Sequence, residues 1–243
     1  MNKFAVFDID GTLFRSSLYI ELASELAADG LLDSDLIADI ATKRKTWSSR
    51  QSDSAYEEFD SAVAMGIDGL LPTIPVAQYE LAVARTISNN ADKIYSYTRK
   101  LITTLKSKGY KIIAVSGSPK ELVEQFVAHY DFDIWVGQHW IQENGAFTGE
   151  MVKTHTNKDV IVKKLIEDYN LTLEGSYAVG DTEGDIGILS MVDHPIAFNP
   201  TYGLIKEAEM HGWPLVIERK NICYTLHSEL PGGAYALVDY NRV

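Results

Sequence analysis

The chain has 243 residues, 46% hydrophobic and 23% charged, and its 34 acidic and 22 basic residues give a formal net charge of −12. This length suits one or two domains, and the net negative charge argues against nucleic acid and anionic lipid surfaces as partners. We expect a cytoplasmic protein without membrane insertion. No apolar run approaches the roughly 20 residues of a membrane helix, and no signal-peptide core follows the start. The single cysteine cannot form an internal disulfide, which suits a reducing compartment.

Short apolar runs alternate with amphipathic stretches along much of the chain. The apolar runs predict buried strands at Phe4–Phe7, Ile112–Val115, Ile134–Val136, Tyr177–Val179 and Pro195–Phe198. The amphipathic stretches predict helices at Ile94–Lys108, Pro119–Tyr130, Lys158–Tyr169 and Asp185–Met191. This alternation predicts an α/β fold, a Rossmann-like parallel sheet with helices on both faces.

The stretch from Arg15 to Asn90 departs from this alternation, because it contains helical segments and no convincing strand. Helices are predicted at Ser17–Ala28, Ser34–Trp47, Ser54–Met65 and Val76–Ser88. A crossover between parallel strands needs only about a dozen residues. We therefore interpret residues 15–92 as an inserted all-helical cap domain over the carboxyl end of the first strand, and residues 1–14 and 93–243 as the α/β core.

Smaller features remain outside this division. The turn signals Asn144-Gly145 and Thr148-Gly149 predict a β-hairpin flap over Trp140–Val152. The stretch after Arg219 is expected to add an edge strand or an extension, and the sequence assigns it no role. In the cap, Trp47, Arg50 and Tyr56 are candidates to line a substrate pocket, and packing within the cap explains the aromatic side chains equally well.

Polar residues follow the first, second and fourth of the predicted strands. Phe4–Phe7 runs into DIDGT at 8–12, Ile112–Val115 runs into SGS at 116–118, and Tyr177–Val179 runs into GDTEGD at 180–185. Ligands of open α/β sheets bind beyond the carboxyl ends of the strands. If these three strands are neighbours in the sheet, the three polar clusters form one site.

Four carboxylates would meet at this site, from Asp8, Asp10, Asp181 and Asp185. Their mutual repulsion would raise the pKa of at least one of them. A hard divalent cation with oxygen ligands relieves that repulsion, and Mg²⁺ in proteins is held by one or two carboxylates together with water and phosphate oxygens. The acidic cluster therefore predicts a Mg²⁺ site.

Groups that suit a phosphate are predicted beside these carboxylates. Ser116 and the backbone N–H groups of Gly117 and Ser118, near a predicted helix start, form an anion cradle. Lys158 opens a later helix and adds a positive charge. A carboxylate nucleophile, a metal and an anion cradle together indicate phosphoryl transfer through an aspartyl-phosphate.

DIDGT at 8–12, the apolar strand ending in Ser116, Lys158 and GDTEGD at 180–185 resemble the four ordered motifs of the haloacid dehalogenase superfamily. The resemblance covers roughly residues 3–14 and 93–200. It extends to the helical insertion, which is similar to the cap of the phosphoserine-phosphatase-like branch, subfamily IB. It implies a Mg²⁺-dependent phosphatase that hydrolyses a small phosphomonoester.

The resemblance also implies roles for the acidic residues. Asp8 is expected to attack phosphorus, and Asp10 to protonate the leaving oxygen and then activate water against the aspartyl-phosphate. Asp8, the backbone carbonyl of Asp10, and Asp181 are expected to hold Mg²⁺, with Asp185 supporting the site from behind. Because the dehalogenases of the family lack an acid at the position of Asp10, the resemblance disfavours dehalogenation.

The residues that the resemblance places at the substrate phosphate are Thr12, which also steadies the first loop, Ser116, Gly117 and Lys158. One position departs from the pattern of phosphoserine phosphatases, where a glutamate nine residues after the nucleophile contacts the substrate amine. Ser17 stands there in this chain. The departure puts phosphoserine in doubt, and both the substrate and the oligomeric state stay open.

Other readings of the same residues predict different activities. A phosphotransferase would use the same aspartyl-phosphate and pass it to an acceptor other than water. A catalytically weak relative would bind a phosphorylated ligand without turnover. A signalling domain that resembles a bacterial receiver would also use an early acidic pair, a Ser or Thr and a Lys, but it would lack the long helical insertion and the late GDTEGD sequence.

Overall fold

A computed structural model of the chain describes residues 2–52, 54–154 and 157–242. The strands in this part are β1 Asn2–Phe7, β2 Lys111–Pro119, β3 Ile134–Glu143, β4 Ala146–Val152, β5 Leu171–Gly180, β6 His194–Phe198, β7 Leu215–Arg219, β8 Ile222–His227 and β9 Ala236–Arg242. They form one sheet in the order β4-β3-β2-β1-β5-β6-β7-β8-β9. The pairs from β3 to β7 are parallel, and the pairs that add β4, β8 and β9 are antiparallel. The predicted α/β fold with a mostly parallel sheet is confirmed.

The helices are α1 Leu18–Ala28, α2 Ser34–Ser48, α3 Ala55–Leu70, α4 Val76–Asn90, α5 Ser96–Ser107, α6 Lys120–Val127, α7 Lys158–Asp168, α8 Ile186–Leu189 and α9 Tyr202–His211. Short 3₁₀ turns cover Leu71–Thr73 and Glu183–Asp185. Helices α1–α4 fall within residues 15–92, between β1 and β2 along the chain, which confirms the helical region predicted there. Helix α5 follows that region, where the sequence predicted a helix of the core at Ile94–Lys108. No described helix is long and apolar enough to cross a membrane.

The apolar run of β1 is continuous because both faces of the sheet are covered. Successive strand side chains point to opposite faces, so Phe7 packs on the face covered by α5 and α6, and Phe4 and Val6 pack on the face covered by α7, α8 and α9. All three side chains are fully buried. Full burial of one such side chain contributes about 1.5–3 kcal/mol to stability.

Helix α3 is longer than the sequence predicted. The prediction ended at Met65, and the glycines that follow, Gly66 and Gly69, have low helix propensity. In the structure, Gly66 lies against Leu36 of α2, and a Cβ atom there would come within 2.3 Å of a Leu36 methyl group. Close packing of α2 on α3 therefore favours glycine inside the helix.

The predicted hairpin is formed by β3 and β4. Asn144 and Gly145 both have positive φ, 51° and 79°, as a two-residue hairpin turn requires. Thr148-Gly149 is not a turn, because it lies inside β4, where the register with β3 shifts and Gly149 has φ 88°. The stretch after Arg219 adds β8 and β9, which confirms the expected extension of the sheet edge.

Candidate active site

The three polar clusters lie side by side, because β2, β1 and β5 are neighbours in the sheet. Phe7 at the end of β1 is in register with Ala114 of β2 and with Val179 of β5. The polar residues after these positions therefore leave the same edge of the sheet. The predicted convergence of the three strand ends is confirmed.

Buried carboxylates form the centre of this site. Oxygen atoms of Asp8, Asp181 and Asp185 lie within 4.8 Å of one another. Lys158 Nζ donates to Asp8 Oδ1 at 2.6 Å and to Asp185 Oδ1 at 2.7 Å, and its side chain is only 5% exposed. Three carboxylates therefore share one ammonium group in a site with little water. Such an excess of buried negative charge is unfavourable unless a further cation is bound.

The loop after β5 holds Asp185 in a fixed orientation. Asp185 Oδ2 accepts hydrogen bonds from the backbone N–H groups of Asp181 and Thr182, both at 3.1 Å. Since Oδ1 is bonded to Lys158, both oxygens of Asp185 have partners within the protein. This pattern is typical of a carboxylate that supports a site from behind.

Asp181 is held by residues of the first loop. Thr12 Oγ1 donates to Asp181 Oδ1 at 3.1 Å, and the Thr12 side chain is fully buried. Gly11 has φ 77°, and a Cβ atom there would lie 2.0 Å from Asp181 Oδ2. Glycine is therefore required at position 11 both for the backbone conformation and for the approach of Asp181.

The side chain of Asp10 makes a separate set of hydrogen bonds. Its Oδ1 accepts from the backbone N–H of Leu18 at 2.6 Å, and its Oδ2 accepts from the hydroxyls of Ser116 at 2.9 Å and Ser118 at 2.8 Å. The sequence analysis did not assign Ser118 a side-chain role. A signal was present, since residues two apart on a strand share one face and Ser116 was already a candidate.

Burial dominates the protonation of these groups. It raises the pKa of Asp8 from 3.8 to about 7, although the charge of Lys158 opposes the rise. Burial and the charge of Asp8 raise the pKa of Asp181, and burial raises the pKa of Asp10 against its three hydrogen bonds. Burial would lower the pKa of Lys158, but the charges of Asp185 and Asp8 raise it. Lys158 is therefore positively charged at neutral pH.

A cavity of about 500 Å³ opens onto the carboxylates, within the size range of small-molecule sites. Four of the predicted site residues line it, namely Asp8, Asp10, Gly117 and Lys158. Of the other four, Ser116 is bonded to Asp10, Asp185 is bonded to Lys158, and Asp181 lies beside Asp8. Thr12 is bonded to Asp181. The structure thus brings all eight predicted residues together.

The helical insertion forms the opposite wall of the cavity through α1 and α3. Tyr56 lines the cavity, as expected if the aromatic side chains of the cap face a substrate pocket. Trp47 instead stacks on Phe59, with ring centroids 5.3 Å apart and an interplanar angle of 14°. Arg50 is exposed. Asp60, which the sequence analysis did not name, also lines this wall.

The chain is similar to known proteins in both sequence and fold. The model of the haloacid dehalogenase-like hydrolase family matches residues 5–190. A relative named "Probable phosphatase" from Mycobacterium tuberculosis is 24% identical over 237 residues, which cover 96% of this chain and 81% of the relative. A histidinol-phosphatase of Neisseria meningitidis is 24% identical over 89% of this chain and 99% of its own. A solved phosphoserine phosphatase, trapped as an analogue of its phospho-aspartyl intermediate, has a TM-score of 0.61 at 22% identity and covers 90% of this chain and 94% of its own.

Proposed function

Because the chain belongs to the haloacid dehalogenase-like hydrolases, in the phosphoserine-phosphatase-like subfamily IB, we propose that it is a Mg²⁺-dependent phosphatase. It hydrolyses a small phosphomonoester through an aspartyl-phosphate on Asp8. The observation that carries this proposal is the placement of Asp8 on the cavity wall, bonded to Lys158 through Oδ1 and close to a second acid, Asp10.

The donor set at this site suits a hard divalent cation. Asp8, Asp181 and the backbone carbonyl of Asp10 would hold Mg²⁺, all through oxygen, as Mg²⁺ prefers. Asp185 would stay behind them, since Lys158 and two backbone N–H groups already occupy its oxygens. When bound, the ion supplies positive charge that offsets the negative charge of the phosphoryl oxygens.

The residues of the chain carry out the chemical steps in this proposal. Asp8 attacks phosphorus, a new P–O bond forms to its carboxylate, and the bond from phosphorus to the substrate alcohol breaks. Asp10 gives its proton to the departing alcohol oxygen, and burial favours the protonated form that this step needs. Asp10 then takes a proton from water, whose oxygen attacks phosphorus, so that phosphate leaves and the Asp8 carboxylate is restored.

The direct test is phosphate release from a broad panel of small phosphomonoesters, measured with Mg²⁺ and with a chelator. We expect release that requires Mg²⁺ and that survives Glu167→Gln, the removal of an exposed acid on α7. Loss of the ester without free phosphate would assign the phosphotransferase alternative. Binding of esters without any turnover would assign a phosphate-ligand binding protein instead.

Ser118→Ala should lower kcat about tenfold and leave KM within about twofold. The hydroxyl of Ser118 donates to Asp10 Oδ2 and so helps to orient this acid. A hydrogen bond to a neutral group contributes about 0.5–1.5 kcal/mol, and about 1.4 kcal/mol is a factor of ten in rate. Steady-state kinetics on the best ester of the panel measures the effect.

The control for this substitution is Ser107→Ala, since the Ser107 hydroxyl is exposed and bonds only to the backbone of its own helix among the described residues. An unchanged kcat in Ser118→Ala would show that Ser116 and Leu18 suffice to orient Asp10. A change confined to KM would place Ser118 at the bound substrate rather than at Asp10.

A further inference from the structure

The sheet has two edge strands, and their surroundings differ. At one edge, β4 lies against the 3₁₀ turn of the insertion, where a Cβ atom on Gly149 would be 3.4 Å from the ring of Pro72. At the other edge, β9 pairs with β8 alone among the described residues. The outer edge of β9 therefore presents backbone N–H and C=O groups to which another strand can bond.

Strand β9 is exposed on both of its faces, along its whole length at Ala236–Arg242. Large apolar side chains are concentrated on it, with Leu237 53%, Val238 60% and Tyr240 68% exposed. Lysine, proline and other charged residues usually protect such an edge from pairing. This strand contains no lysine and no proline, and its two charged residues have opposite signs. Its composition therefore permits pairing with a further strand.

The apolar side chains of β9 extend one face of the core. Leu237 is opposite Leu226, which packs with the core beneath α7, α8 and α9. Asn241 is opposite Cys223, which belongs to the core on the other face. Neighbouring residues of a strand point to opposite faces, so Tyr240 lies on the same face as Leu237. Since both side chains are exposed, this apolar strip continues the core face beyond the part that helices cover.

The charges at the two ends of β9 have opposite signs. Arg242 ends the strand beside Arg219 and Lys220, which lie at the turn between β7 and β8. At the other end, the loop that leads into β9 contains Glu229 and is hydrogen-bonded to the backbone of Glu209. Two copies related by a two-fold axis pair antiparallel, so the basic end of each copy would lie beside the acidic end of the other. The edge is therefore complementary in charge to itself.

We propose that two copies of this chain associate through β9, in antiparallel pairing about a two-fold axis at Tyr240. The axis sets the two Tyr240 side chains opposite each other and Asp239 opposite Asn241. Arg242 is then diagonal to Tyr240 of the second copy and on the same face, where a guanidinium group attracts an aromatic ring. A two-fold contact closes on itself, so the product is a dimer with one continuous sheet and not a fibre.

This association does not depend on the proposed phosphatase function. The candidate active site lies where β2, β1 and β5 end, and β9 is separated from β5 by three strands. Each copy therefore contains a complete site of its own. Failure of one proposal leaves the other untouched, because the association is measured without substrate.

Sedimentation velocity of the native protein from about 1 μM to 1 mM, a range over which weak complexes dissociate, tests the association. We expect a species of about twice the 27.1 kDa of one chain that dissociates on dilution. Tyr240→Lys sets like charges opposite each other at the axis, so the dissociation constant should rise at least about tenfold. Tyr202→Lys is the matched control, since Tyr202 is equally exposed but lies on α9, and it should leave the dimer unchanged.

A crosslink at the axis identifies the surface. Facing Cβ atoms of an antiparallel pair are about 4.5–5.5 Å apart, so Tyr240→Cys should give a disulfide-linked dimer on mild oxidation. The native Cys223 is buried and should not react. Tyr202→Cys, with an equally exposed thiol, should stay a single chain under the same conditions.

Two results would overturn the proposal. A native protein that stays monomeric over the whole concentration range would leave this edge bare or available to a strand of another protein. A dimer that withstands Tyr240→Lys and gives no crosslink from Tyr240→Cys would place the contact on another surface. A melting temperature of Tyr240→Lys within about 2 °C of the native value, in dilute solution, shows that the substitution removes pairing and not the fold.

Discussion

Asp8→Asn is expected to lower phosphate release by at least about a thousandfold, because removal of a catalytic nucleophile typically leaves only binding and electrostatic effects. In the proposed reaction, the Asp8 carboxylate forms the bond to phosphorus, and an amide of the same shape does not attack. Among the described residues, one side chain donates a hydrogen bond to this carboxylate, which is Lys158 to Oδ1. The other oxygen is therefore available to the substrate or to the metal.

The same substitution is expected to leave the fold stable, and in the presence of a chelator to make it more stable. Asp8, Asp181 and Asp185 share one ammonium group, so a neutral side chain at position 8 relieves repulsion among buried carboxylates. A gain on the order of 1 kcal/mol would raise the melting temperature of a chain of this size by about 2–4 °C. Activity and stability are therefore expected to change in opposite directions.

The pH dependence of stability provides a further measurement of the same effect. Burial raises the pKa of Asp8 from 3.8 to about 7, so between these values the folded state holds a proton that the unfolded state has released. The free energy of unfolding then falls as the pH rises from about 4 to 7. Thermal unfolding in chelator at pH 5 and pH 8 should show a smaller fall for Asp8→Asn than for the native protein.

Two results would contradict this expectation. Phosphate release by Asp8→Asn at more than a few per cent of the native rate would mean that another group attacks phosphorus. A melting temperature well below that of the native protein in chelator would mean that the Lys158 bond stabilises the site more than the three carboxylates destabilise it. Glu167→Gln serves as the control for the general effect of removing one acid.

The parts of the fold that the sequence predicted correctly are those in which a local pattern is decisive. The continuous apolar run at Phe4–Phe7 predicts a strand covered on both faces, and β1 is such a strand. Asn144-Gly145 predicts a two-residue turn because both residues accept a positive φ. The predicted end of β3 at Val136 was too early, because the rest of the strand contains polar residues. One of them, Gln138, is buried and donates a hydrogen bond to the Tyr19 hydroxyl.

The sequence predicted those residues of the site that come just after a predicted strand. Asp8 and Ser116 come directly after an apolar run, and Asp181 comes one residue later, so the neighbouring order of the three strands brings them together. The wall formed by α3 has no such signal, because Asp60 reaches the cavity only through the packing of the insertion on the core. Sequence spacing contains no information about that packing, so Asp60 was missed, whereas Tyr56 was among the candidates named from the sequence.

The second large effect is expected from Lys158→Met, which replaces the buried ammonium group with an apolar side chain of similar length. Lys158 bonds to Asp8 and Asp185 at 2.6 and 2.7 Å and is 5% exposed. Loss of one partner from a buried ion pair costs about 3–5 kcal/mol, because the remaining charges are left without compensation. We expect a fall of about 10 °C in melting temperature in the presence of a chelator, and phosphate release lowered at least about a hundredfold.

Mg²⁺ is expected to restore part of this stability, because a cation among the carboxylates replaces some of the lost positive charge and binds only the folded state. The melting temperature of Lys158→Met should therefore rise more on addition of Mg²⁺ than that of the native protein. Lys164→Met is the matched control, since Lys164 is a lysine on the same helix that is 74% exposed in its pair with Asp168. Exposed pairs contribute about 0–1 kcal/mol, so little change is expected there.

The double variant Asp8→Asn and Lys158→Met separates the ion pair from the rest of the site. Once Asp8 is neutral, removal of Lys158 leaves one buried carboxylate fewer without compensation, so the combined loss of stability should be smaller than the sum of the single effects. Additive effects would mean that Lys158 stabilises the fold through the packing of its side chain or through Asp185 alone. A Lys158→Met protein as stable as the native one in chelator would mean that the cluster is already neutralised by protons, as the raised pKa values of Asp8 and Asp181 allow.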